Sequence, residues 1–213
     1  MQLFSKYLLD QMVYVKTPKP KHAKRLAAPE DYTILGVTAF DAPIWVPPAN
    51  SSAETIAELE HIVASQGLHK DPAGLEQKYD DSFEWAFAKC LEKAGLEWDE
   101  VWFKQLIDEA ASITIRLKYR FNRPRPFQLG PKLGIDVCKE QSSTAKTPSY
   151  PSGHSAQSRL VALVLAKQYP ELEKKLIKIA DEISLSRLVG GHHFPSDIEY
   201  GEFLGKWMAD NIK

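Results

Sequence analysis

Between Trp98 and Leu117 the apolar residues Trp98, Val101, Trp102, Leu106, Ala110, Ile113 and Leu117 recur every third or fourth position. That spacing puts them on one face of a long helix, here predicted over 98–120. A face of this length must be covered by other elements. The same period returns at Ile56, Leu59, Ile62 and Val63, in a helix opening at Ser52 and ending near Gly67. It returns again at Phe83, Phe87, Cys90 and Leu91, in a helix from Gly74 or Leu75 to Ala94 that Gly95 stops. A helix from Pro170 to about Val189 carries Leu172, Leu176, Ala180 and Ile183, and a last one, capped by Ser196-Asp197, carries Phe203, Leu204, Trp207 and Met208. From His154 to about Tyr169 the residues are apolar on most sides, as in a helix central to a bundle. No strand alternation and no internal repeat is visible, so the fold class is all-α.

The length of 213 residues fits one domain, read as a single helical bundle over 1–213 with an irregular N-terminal arm at 1–50. In that arm Lys16 to Arg25 is a basic, proline-containing stretch, expected to be extended and solvated. Residues 31–48 are expected to be irregular, partly buried and packed on the helices. Residues 127–150 read as a linker rich in Gly, Pro, Ser and Thr, and a loop that long is often functional.

The net charge of −1 argues against a general nucleic-acid binder, which needs a basic surface. The cations Lys118, Arg120, Arg123 and Arg125 therefore mark a local site. No run reaches the length of apolar sequence that a membrane span needs. Met1 to Asp10 lacks a clean apolar core and a small-residue cleavage site, so no signal peptide is read. A cytoplasmic location is the expectation, or a periplasmic one if a leader has been removed. Cys90 and Cys138 do not form a C-x-x-C pair, which disfavours a zinc site. Burial of both is the simpler reading, with their pairing left open. The sequence also leaves a homo-oligomer open.

Three segments carry chemistry. Lys118 is followed by six residues and Arg125-Pro126; Pro151-Ser152-Gly153-His154 opens the central helix; Ser186-Arg187 is followed by five residues, His193, three residues and Asp197. Lys118, Arg125 and Arg187 would supply fixed cations for a tetrahedral oxyanion. Ser152 offers a hydroxyl, and the amides at Gly153 lie at a helix start, where an anion is favoured. Arg187 continues the buried face of its helix, and no acid follows at helical spacing, so a ligand anion is expected to fill the gap. His193 is the candidate nucleophile, Asp197 the carboxylate that orients it and stabilises its cation, and His154 the acid for the leaving oxygen. With His193 neutral and His154 protonated, a bell-shaped, acid-to-neutral pH profile follows. His192 and His193 as metal ligands are disfavoured, because adjacent residues do not share a helix face. No metal or other cofactor is called for.

These segments resemble the three-part signature of the type-2 phosphatidic-acid phosphatase superfamily: K-x6-R-P, P-S-G-H and S-R-x5-H-x3-D. That superfamily unites bacterial class A acid phosphatases, membrane lipid phosphatases and vanadium-dependent haloperoxidases. The likeness covers residues 118–197, and every signature position is present. It implies a helical bundle, phosphate binding by Lys118, Arg125, Ser152, Gly153 and Arg187, catalysis by His154, His193 and Asp197, and no metal requirement. The expected function is a soluble phosphatase acting on a small phosphorylated substrate through a phosphohistidine. Vanadate is expected to inhibit. The alternatives are a haloperoxidase that takes vanadate as cofactor in the same pocket, a non-catalytic phosphate-binding protein, and a lipid phosphatase whose Lys16–Arg25 arm touches a membrane surface.

Overall fold

The computed structural model describes residues 5–15 and 17–213. Lys16 of the basic stretch, and Met1 to Phe4 of the region read for a leader, lie outside the described residues. The described residues form α-helices, short 3-10 turns and loops, with one isolated antiparallel bridge between Leu35 and Ile212. None of these helices is long and apolar enough to cross a membrane.

The N-terminal arm is less irregular than its sequence suggests. It contains α1 (Lys6–Asp10) and α2 (Pro20–Ala27). Helices of one or two turns are too short to display a period. Pro20 fixes the first helical φ of α2. No residue of α2 is buried; it is fastened to the body by His22, whose Nδ1 lies 2.7 Å from the Tyr119 hydroxyl. The next stretch is irregular, as expected, and partly buried. Tyr32, Ile34 and Leu35 are inside while Phe40 and Val46 are exposed. Its buried amides still need acceptors. The Glu109 carboxylate takes Thr33 N–H at 2.9 Å, Ile34 N–H at 3.1 Å and Leu35 N–H at 2.9 Å.

α3 (Ala53–Leu68) is capped by Ser52, which accepts from Thr55 N–H at 3.1 Å. The single helix expected from residue 74 to 94 is instead two, α4 (Pro72–Tyr79) and α5 (Glu84–Glu92). The break has a polar cause. The Asp80 carboxylate accepts from the hydroxyls of Ser142 and Thr144 and from Ser143 N–H. It is thus committed to the distant loop, at a turn where Asp and Ser compete with helical bonding. α6 (Glu100–Phe121) is capped by Asp99 and closed by Asn122 at φ 49°. Val101 and Val63 are exposed, so neither belongs to the buried stripe predicted for its helix. The expected linker begins with α7 (Pro126–Leu129) and a 3-10 turn at Gly130–Lys132. Cys138 in that loop is exposed and Cys90 half-buried, and both are free thiols.

α8 (Gly153–Gln168) packs against α6, α9 (Glu173–Val189) and α10 (Pro195–Asp210), which is the central place expected of it. The cap of α10 is Phe194 rather than Ser196; Pro195 takes the first helical position, and the Asp197 carboxylate accepts Phe194 N–H at 2.9 Å. α8 and α10 meet closely because α10 presents two glycines. A Cβ at Gly201 would stand 2.6 Å from Ser152 O, and one at Gly205 2.4 Å from Ala156 O. This contact sets the start of α8 against the start of α10, where Ser152 N–H donates to Asp197 O at 2.8 Å. Gly205→Ala tests it by sign. Helix propensity alone would stabilise by about 1 kcal/mol. Overpacking should win and destabilise by about 1–3 kcal/mol. The expected result is a lower urea midpoint at unchanged slope.

Candidate active site

His193 sits in the turn between α9 and α10. Gly191 makes that turn possible with φ +69°; a Cβ there would also stand 2.1 Å from Cys138 O. The chain then returns the amides of His192 and His193 to Arg187 O at 3.1 and 3.3 Å. His193 Nδ1 lies 3.2 Å from Asp197 Oδ2. A carboxylate there accepts, so Nδ1 carries the hydrogen and Nε2 presents its lone pair. Burial, with Arg125, Lys118 and Arg187 nearby, presses the His193 pKa well below the usual imidazole value. The ring is therefore neutral, with the free nitrogen a nucleophile needs.

The carboxylate behind it is itself held. Asp197 is fully buried. Its Oδ1 receives Arg123 at 2.7 Å, and its Oδ2 receives the Ser149 hydroxyl as well as Phe194 N–H. Arg123 also reaches Glu58 Oε2 at 2.9 Å and lies 3.9 Å above the Phe194 ring centroid. Glu58 closes the circuit by accepting Ser196 N–H at 2.6 Å.

A cavity of about 280 Å³ is lined by Lys118, Arg125, Gly153, His154, Arg187 and His193, among others. Three segments distant in sequence thus converge. Arg125 donates from Nε to Thr147 O at 2.8 Å and from one terminal nitrogen to His192 O at 2.9 Å, and that nitrogen stands 3.4 Å from His193 Nε2. Lys118 Nζ donates to the carbonyls of Pro148 and Ser149 at 2.9 and 3.2 Å. Burial and then Arg187 press the Arg125 pKa down to about 10; burial and then Arg125 hold Lys118 well below the usual amine value. His154 lies in the first turn of α8, its Nε2 3.1 Å from Asp80 O. Burial, then Arg187, press it down to about 3.

Two expected site residues sit behind the lining. Asp197 lies behind His193, fully buried. Ser152 is fully buried and caps α8, accepting Ser155 N–H at 3.3 Å and the Ser155 hydroxyl at 2.9 Å. Arg187 departs from expectation in another way. Its acid partners come from α4 and the turn that follows it, with Glu76 Oε1 at 3.2 Å and Asp80 Oδ1 at 3.1 Å from one terminal nitrogen. The charge therefore has protein partners, although the buried Nε–H has none. Glu76 also stands 3.0 Å from His192 Nε2; burial raises its pKa to about 7 against the pull of Arg187. Burial alone would raise Asp80 too, but the bonds from Ser142, Thr144 and Ser143 and the charge of Arg187 hold it below the carboxylate range. Glu76 and Asp80 escaped the sequence reading, as did Glu58, Ser149 and Thr147. The four-residue spacing of Glu76 and Asp80 was the one local signal available.

The fold thus places a histidine beside buried cations in one cavity of a helical protein. Residues 106–209 match the family model of the PAP2 superfamily. The non-specific acid phosphatase of Providencia stuartii is 36% identical over 97 residues, covering 44% of this chain and 38% of that protein. The non-specific acid phosphatase of Salmonella typhi is 36% identical over 94 residues, 43% of this chain and 36% of that protein. The match thus spans less than two-fifths of the length of these curated relatives. Two solved structures share the fold. A bacterial vanadium-dependent iodoperoxidase superposes with a TM-score of 0.52 at 19% identity, over 78% of this chain and 50% of that one. A transmembrane PAP2-type phosphatidylglycerolphosphate phosphatase from Bacillus subtilis gives 0.53 at 21% identity, over 75% and 84%.

Proposed function

We propose that this chain is a phosphomonoesterase of the acid-phosphatase type that works through a phosphohistidine on His193 without a metal. One observation carries the reading. Lys118, Arg125, Arg187, His154 and His193 line one small cavity, and each has its protonated form disfavoured by burial, in most cases with help from neighbouring cations. An anion placed among them would relieve that repulsion for the whole group.

In the first step His193 Nε2 attacks phosphorus, an N–P bond forms and the P–O bond to the alcohol breaks. The leaving oxygen takes a proton from His154. Water then attacks phosphorus, giving a proton back to His154, and the N–P bond breaks to release phosphate. Lys118, Arg125 and Arg187 hold the non-bridging oxygens throughout. Asp197 stabilises the positive charge on His193 while it carries the phosphoryl group.

The proton needs a source, because burial and Arg187 hold the His154 pKa far below the usual imidazole value. A phosphomonoester has its second pKa near about 6. Its monoanion can bring the proton in, and its charge offsets Arg187 and Lys118, two cations that depress His154. The signs then separate. The low pKa of His193 keeps it neutral as pH falls, so the acid limb lies well below about 6.5. The proton on His154 or the ester is lost as pH rises, which sets the other limb near about 6 to 7.

Hydrolysis of 4-nitrophenyl phosphate in EDTA tests this. Turnover is expected to be greatest near about pH 5–6, to fall above about pH 7, and to be inhibited competitively by orthovanadate. Failure to hydrolyse aryl and alkyl phosphomonoesters would overturn the reading. Bromide or iodide oxidation with vanadate and peroxide would then establish the haloperoxidase instead.

A further inference from the structure

A second concavity adjoins the first and shares Asp81, Thr144 and Thr147 with it. It has a volume of about 480 Å³ and is framed by Lys19 and Lys21 at the start of α2 and Lys146 in the loop before α8. Among the described residues none of these lysines forms an ion pair or a side-chain hydrogen bond, whereas Arg25, also on α2, lies 3.6 Å from Asp108. All three ammonium-bearing residues are exposed. The single carboxylate in the groove, Asp81, is engaged by the Ser143 hydroxyl.

The groove is joined chemically to the cavity as well as sharing a wall. Thr147 accepts from Arg125 through both its carbonyl and its hydroxyl, and Thr144 donates to Asp80, which in turn holds Arg187. His22, on the α2 side of the groove, records the local potential. Burial first, then Lys21, Lys19 and Arg25, lower its pKa.

We infer that this groove is a second anion subsite, and that the substrates are small organic bisphosphates. One phosphate enters the cavity beside His193, and the other, on the alcohol portion, is held by Lys19, Lys21 and Lys146. The inference rests on the phosphomonoesterase reading and specifies its substrate class. A nucleic acid would need a longer basic track than these groups supply. A single phosphate would leave the groove unused. The Thr147 hydroxyl accepts from Arg125 and keeps its own hydrogen, which suits an anion or a sugar-like hydroxyl that accompanies it.

The test compares fructose 1,6-bisphosphate with fructose 6-phosphate, and any other sugar bisphosphate with its matching monophosphate, at low salt. Wild type should favour the bisphosphate at least about tenfold in kcat/KM, mainly through KM, since three lysine–phosphate contacts act together. In the triple variant Lys19→Gln, Lys21→Gln, Lys146→Gln the preference should fall below about threefold while aryl phosphate hydrolysis is kept. Raising salt toward about 0.5 M should compress the wild-type preference by screening. Equal kcat/KM for the two esters in wild type, or a preference that survives in the triple variant, would overturn the subsite. Calorimetry on His193→Ala protein separates the two readings, because it needs no turnover. Bisphosphate binding that weakens about tenfold with the three lysine changes supports the subsite even if no ester is hydrolysed, and binding that is unchanged rejects it.

Discussion

Replacing His193 by alanine should lower phosphomonoester hydrolysis by about 10⁴-fold or more while leaving the protein folded. The effect is large because no nearby group can substitute. The Nε2 position faces the cavity beside Arg125, which has no lone pair to offer, and His154 is tied to Asp80 O. The fold should tolerate the change because Asp197 keeps Arg123, Ser149 and Phe194 N–H as partners. A near-native melting curve together with lost turnover is the expected pair of results. Asp197→Asn should lose about 10²–10⁴-fold, because an amide can present its N–H to Nδ1 and favour the wrong tautomer. Quenching wild-type reactions at alkaline pH, where phosphohistidine survives, should trap label on the protein, and His193→Ala should trap none. Activity that persists in His193→Ala would move the nucleophile elsewhere.

The helices were legible where a stripe ran for several turns and remained so inside the bundle. α6, α8 and α9 emerge close to their expected bounds because burial and period agree there. The helix expected across Asp80 did not survive, because its polar residues are claimed by Ser142, Ser143 and Thr144 some sixty positions away. No window of sequence contains that contact. The same distance hid the partners of Arg187. Its place on a buried face implied a need for negative charge, expected from a ligand, but Glu76 of α4 and Asp80 just after it supply carboxylates from within the protein. The grouping of Lys118, Arg125, Gly153, His154, Arg187 and His193 around one cavity was foreseeable, because each motif carried a group suited to one oxyanion. The support behind them was not. Glu58, Thr147 and Ser149 are ordinary polar residues until the fold brings them to Arg123, Arg125 and Asp197.

Arg123 is where that hidden support can be measured. It is buried, and its guanidinium is the cation between two buried carboxylates, Glu58 and Asp197. Arg123→Met would keep much of the packing on Phe194 but leave both acids without their cation. Removing one partner of a buried ion pair costs about 3–5 kcal/mol. Urea unfolding should therefore show a loss of that order, large against the total stability of an ordinary domain. Glu58→Gln in the same background should recover part of it, since one of the stranded charges is gone, and the double-mutant cycle should give a coupling of about 1–3 kcal/mol. Arg123→Lys should fall between, because a single ammonium cannot serve both carboxylates and the aromatic face at once. The catalytic readout separates position from mere stability. With Arg123 gone, Asp197 loses the bond that fixes its carboxylate behind His193 Nδ1, so kcat per folded molecule should fall while KM changes little. A destabilised protein with an unchanged kcat per folded molecule would assign Arg123 to the fold alone. A lowered kcat would make it the residue that positions Asp197 behind His193.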